Sequence, residues 1–313
     1  MQQNRETLEF LGCYYSNWGI IRLEDINKRQ LIGYQNIRKL YTSLLYLQSK
    51  PESSMNSLTK SKSKQNLILF FIGMIGVLSS IPMIPLLLDL APEPPEIPMI
   101  LVQIISVIQS GVLLLLMVFL GSYFSHRVNL SAPVIESIFQ SDNMLEKFKN
   151  IFPAAMFGGL IGGVFLLIFL SVVSKYLPSE FLEGVENFSP PWYTRLLYGG
   201  ITEEILIRWG LMSFFTWCCY RITQSKGSEV RSINYIFAIV LSALIFGAGH
   251  LPVVFMMSGV VTVPLIAYII LGNAFFGLIA GYLYWKRGLE CAIGAHMIAH
   301  ITMLVGESYT RMN

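Results

Sequence analysis

The chain has 313 residues, 54% of them hydrophobic and only 13% charged, with a net charge of +3. Soluble domains carry about 25% charged residues, so this chain lacks the polar side chains to coat a water-soluble globule of its size. That excludes a soluble cytosolic enzyme, a disordered chain, a collagen and a coiled coil, and leaves an all-α polytopic transmembrane bundle.

The first 65 residues are polar, with no apolar h-region, so no cleaved signal peptide is expected. Within them Ile37, Leu40, Tyr41, Leu44 and Leu47 recur at helical spacing beside Arg38, Lys39 and Lys50. That pattern suits an amphipathic helix lying on the membrane or packed on the cytosolic face of the bundle. The Ser- and Lys-rich stretch Pro51–Gln65 reads as a linker. Residues 66–190 then read as N-terminal transmembrane helices and residues 191–313 as a C-terminal core. About 20 residues cross a bilayer as a helix, which places spans at Leu67–Leu90, Pro98–Phe124, Ile151–Val173, Tyr193–Tyr220, Ile233–Val254, Val260–Trp285 and Leu289–Val305. The expected total is about seven or eight spans. Cys13, Cys218, Cys219 and Cys291 form no C-x-x-C pair, and no disulfide framework is expected.

Lysine and arginine set the orientation. The N-terminal segment holds ten, and the second, fourth and sixth loops hold three, three and two. The opposite side carries only Lys175, Arg195 and Arg311. A cytoplasmic N-terminus and an external C-terminus follow. Lys60, Lys62 and Lys64 suit topology and headgroup attraction, not nucleic acid.

Ionisable residues inside spans are costly, about 2.5–3.5 kcal/mol each near the bilayer centre, and mark function. Glu203, Glu204 and Arg208 lie well inside one span, and three of the four histidines, His250, His296 and His300, lie in the last spans. Glu204 and Arg208 stand four apart and can pair on one helix face. Glu203 is rotated by about 100° from Glu204 and stays free to face a cavity, where it suits a general base. Phe246 and His250 are also four apart, as are His296 and His300.

Glu203-Glu204-x-x-x-Arg208, Phe246-x-x-x-His250 and His296-x-x-x-His300 resemble the three ordered motifs of the CPBP intramembrane endopeptidases. These are the membrane proteases related to type II CAAX prenyl endopeptidases, also called the Abi family. The resemblance covers about 110 residues, from Glu203 to His300. It implies that Glu203 activates a water for attack on a peptide carbonyl, assisted by His250. It also implies that Glu204 and Arg208 organise the site and that the third motif stabilises the oxyanion. That motif usually ends in asparagine. Here His300 stands in its place, and an imidazole N–H can serve as a donor. No cofactor is implied, with zinc held by Glu203, His250, His296 and His300 as the alternative, since an i, i+4 histidine pair is a familiar zinc geometry.

The leading function is therefore an intramembrane endopeptidase acting on a membrane-anchored or lipid-modified protein or peptide, in a multi-pass protein of the plasma membrane if the source is bacterial. A non-catalytic bacteriocin immunity protein of the same fold and a proton-coupled carrier are the alternatives. No inverted repeat supports the carrier. The charge count places Glu203 in the outer half of the membrane, whereas processing of prenylated proteins needs cytosolic access. Either one span is miscounted or the substrate is not a cytosolic prenylated protein.

Overall fold

The computed structural model describes residues 52–90, 96–140, 143–225 and 227–312. The chain divides into two compact units, Met1–Lys60 and Ser61–Asn313. The amphipathic stretch expected at residues 29–50 lies outside the described residues, and Pro51–Gln65, read as a linker, is helical from Glu52 onward. Nothing in its Ser- and Lys-rich composition breaks a helix after Pro51.

All regular structure among the described residues is helical. The main elements are α1 (Glu52–Ser79), α2 (Met83–Leu88), α3 (Met99–Phe124), α4 (Pro133–Gln140), α5 (Met144–Val173) and α6 (Ser179–Asn187). They are followed by α7 (residues 192–223), α8 (Ser232–Ala248), α9 (Leu251–Met257), α10 (Val263–Arg287) and α11 (Leu289–Met312). Among the described residues, five stretches are long and apolar enough to cross a membrane: Met99–Val128, Met144–Tyr176, Ser232–Met257, Val263–Arg287 and Leu289–Tyr309. Each overlaps an expected span. The other two expected spans are helical but divided. A turn at residues 80–82 separates α1 from α2, and α7 is built of short α and π segments.

Lipid tails are as apolar as leucine, so membrane helices associate by close packing and interhelical hydrogen bonds. Glycine and alanine supply the closeness here. A Cβ on Gly159 of α5 would lie 2.5 Å from the Ala295 carbonyl oxygen of α11, and one on Gly163 would lie 2.8 Å from that of Ala299. The glycine-rich face of α5 therefore seats α11, the most extensive helix pair of the fold. The α8–α10 contact uses the same device, with Gly247 against Ile270 and Gly277 against Ala243.

The turn between α10 and α11 is sharp. Gly288 adopts φ +95°, which suits a residue with no side chain. Glu290, the one carboxylate at the start of the last expected span, accepts a hydrogen bond from the Ile135 N–H at 2.8 Å. It thereby caps the start of α4, where the backbone N–H groups lack helical partners. These contacts fix α10 and α11 side by side, so that both present residues to α7.

Candidate active site

The site is built on α7, which is not a uniform α-helix. One α turn, Trp192–Thr194, leads into a π-helical segment, Arg195–Thr202. Glu203 and Glu204 follow in ordinary helical conformation, and a second π segment, Ile205–Met212, runs on to the α-helical Ser213–Thr223. π-turns are rare and concentrate at functional sites. The two glutamates thus sit at the junction of two widened stretches of helix.

Glu204 and Arg208 are completely buried. Arg208 Nη1 lies 3.0 Å from Glu204 Oε1, the pairing expected from the spacing. The same carboxylate oxygen lies 2.7 Å from His296 Nδ1, a contact with α11 that spacing alone did not reveal. Arg208 Nη2 donates to the Gly277 carbonyl of α10 at 3.3 Å, and the guanidinium lies 4.9 Å from the centroid of the Phe246 ring. One buried ion pair therefore gathers all three motifs. Glycine at position 277 permits this, because a Cβ there would lie 2.8 Å from that of Ala243 and 3.4 Å from the guanidinium.

Glu203 stands apart. It is partly exposed and makes no hydrogen bond or ion pair among the described residues. The split expected for the two glutamates, one neutralised and one free, is the arrangement found.

His250 is partly buried at the N-cap of α9, where the chain turns after α8. Its Nδ1 lies 2.9 Å from the Phe246 carbonyl oxygen. A carbonyl only accepts, so Nδ1 carries the hydrogen and Nε2 of the neutral ring presents a lone pair. The ring also stands edge-on to Phe246 at 4.8 Å between centroids. Phe246 thus holds His250 through its backbone and Arg208 through its ring.

His296 and His300 stack at 4.8 Å with 14° between their planes, as residues one turn apart on α11. His300 Nδ1 is buried without a hydrogen-bond partner among the described residues. Its other nitrogen lies against Gly199 of α7, where a Cβ would approach to 2.5 Å. Among the described residues no three His, Cys, Asp or Glu side chains are grouped so that they could hold a metal ion. As arranged, Glu203, His250, His296 and His300 are not gathered into a ligand set for zinc.

Two contributors were missed in the sequence. Thr202, beside Glu203, donates its buried hydroxyl to the Gly73 carbonyl of α1 at 2.8 Å. Gly199 makes room for His300. A threonine and a glycine in an apolar helix are too common to stand out, and only the partner helix reveals their use.

Residues 186–302 match the family described as Rce1-like, Type II CAAX prenyl endopeptidase Rce1-like. The resemblance to the CPBP endopeptidases holds. The matched segment contains all six site residues and the helices that carry them, from α7 to most of α11. The Rce1-like family is one of proteases, so a protein substrate and an integral membrane setting follow at family level. No curated protein and no solved structure matches the chain.

Proposed function

We propose that the protein is an intramembrane endopeptidase that hydrolyses a peptide bond in a membrane-associated or lipid-modified protein, with Glu203 as the base. The observation that carries this reading is the contrast between two adjacent carboxylates. Glu204 is shared between Arg208 and His296, whereas Glu203 is partly exposed and unbonded. Glu203 takes a proton from water as the water oxygen attacks the carbonyl carbon. The lone pair on His250 Nε2 accepts the water's second hydrogen and orients it. When the C–N bond breaks, the proton held by Glu203 passes to the departing amine. Glu204, Arg208 and His296 hold the helices in register and do not meet the substrate.

The test is cleavage of internally quenched peptides, farnesylated and unmodified, by the full chain in phosphatidylethanolamine–phosphatidylglycerol vesicles. Glu203→Gln keeps the shape of the side chain and removes the base, so it is expected to lose turnover while remaining folded. Full activity in that variant, or no cleavage of any peptide by the wild-type protein, overturns the reading.

A further inference from the structure

Peptide hydrolysis places a negative charge on the carbonyl oxygen, and the site needs an N–H or O–H donor to meet it. The resemblance assigns that donor to the third motif, whose last position here holds His300 in place of asparagine. His296 Nδ1 is committed to the Glu204 carboxylate at 2.7 Å, and His250 Nδ1 to the Phe246 carbonyl at 2.9 Å. His300 has one nitrogen buried and the other against Gly199. Arg208 is completely buried.

Asn273 is the polar side chain of α10 that lies between these groups along the helix. Ile270, three residues before it, packs on Gly247 of α8, and Gly277, four after it, receives the Arg208 contact. Phe276, three after it, lies 4.4 Å from His296 between ring centroids. Residues three and four apart share a helix face, so Asn273 lies on the face of α10 that these neighbours turn toward the site. It remains partly exposed although Gly272, Ala274, Phe276 and Gly277 around it are buried. Its Nδ2 donates to the Ile269 carbonyl at 2.9 Å, and this bond fixes the amide orientation. One Nδ2 hydrogen then remains, together with Oδ1, which accepts no hydrogen bond among the described residues.

We infer that Asn273 is a catalytic residue whose second Nδ2 hydrogen binds the carbonyl oxygen of the scissile bond as that oxygen becomes anionic. The inference rests on the endopeptidase reading above. As the water oxygen bonds to the carbonyl carbon and Glu203 takes the proton, the carbonyl π pair moves onto oxygen and strengthens the bond from Asn273. The donor is released when the C–N bond breaks and the amine takes the proton. The bond to Ile269 orients the amide before substrate arrives, so little reorganisation is needed during the reaction.

The test is steady-state kinetics of the reconstituted full chain on the most rapidly cleaved peptide of the quenched set, with thermal unfolding of each variant. Removal of an oxyanion donor lowers kcat by about 10²–10³-fold. Asn273→Ala and Asn273→Asp are expected to show that loss with KM little changed and wild-type unfolding temperatures. Asn273→Ser, which keeps a short donor, is expected to recover part of the rate. An unchanged kcat overturns the assignment, as does a raised KM with kcat preserved, which marks an ordinary substrate contact. A rate loss that only follows a fall in unfolding temperature also overturns it. With Glu203→Gln inactive and Asn273→Ala fully active, the oxyanion assignment falls alone. With Glu203→Gln active, the endopeptidase reading falls as well.

Discussion

His296 Nδ1 and Glu204 Oε1 lie 2.7 Å apart, ninety-two positions distant in the chain and both buried. The bond joins the first motif to the third, and Arg208 Nη1 lies 3.0 Å from the same oxygen. Removing one partner from such a buried set leaves a charge uncompensated, which costs about 3–5 kcal/mol.

Glu204→Gln is therefore expected to destabilise the fold by about that amount and to lower turnover with it. The substitution preserves shape but leaves Arg208 without its counter-charge. Thermal unfolding in detergent, followed by tryptophan fluorescence, reads the first effect and peptide cleavage the second. Stability equal to wild type would show that the pair is not the tie between the helices.

Glu203→Gln should behave in the opposite way. No hydrogen bond or ion pair is lost among the described residues, so stability should stay within about 0.5 kcal/mol of wild type. The same two measurements on this variant separate the adjacent carboxylates, and a large loss of stability would place Glu203 in the scaffold.

Gly199 and His300 form a steric pair, and their substitutions should be strongly non-additive. Gly199→Ala drives a methyl group into the imidazole, whose Nε2 would lie 2.5 Å away. The single variant should lose activity, and the shorter side chain of His300→Asn should restore part of it. A double variant no better than Gly199→Ala would remove the packing explanation.

Thr202 ties α7 to α1, and Thr202→Val keeps the volume while deleting the hydroxyl. Interhelical hydrogen bonds of this kind contribute about 0.6–1.7 kcal/mol in membranes. A loss of that size, recovered in Thr202→Ser, is expected in the unfolding measurement. Turnover should fall in parallel, because the next residue is Glu203.

The reach of the sequence differed from element to element. Charged groups in apolar helices are rare enough to be found by inspection, so Glu203, Glu204 and Arg208 stood out, as did the histidines. The Glu204–Arg208 pairing was legible because both residues lie one turn apart on one helix. The His296 contact was not, since it depends on how α11 is seated by the glycines of α5. Helix ends were less legible again. The expected span Leu67–Leu90 is interrupted at residues 80–82, and hydropathy cannot locate a turn inside an apolar run. π-turns left no trace either, because side-chain spacing is read against an assumed period of about 3.6 residues.

Those π-turns bear on how the protein tolerates changes of length. Each widened turn accommodates about one residue more than an α turn of the same rise. Deleting a single residue between Arg195 and Thr202 therefore offers the backbone an ordinary α-helix, at no cost in membrane thickness spanned. Such a deletion swings the upstream face of α7, with Arg195 and Gly199, away from Glu307 and His300, while Glu204 and Arg208 keep their own spacing. The chain could then insert and fold around its buried ion pair with the upstream part of α7 misaligned against α11. Substitutions probe the chemistry of single groups, whereas a one-residue deletion probes the angular setting of the whole helix.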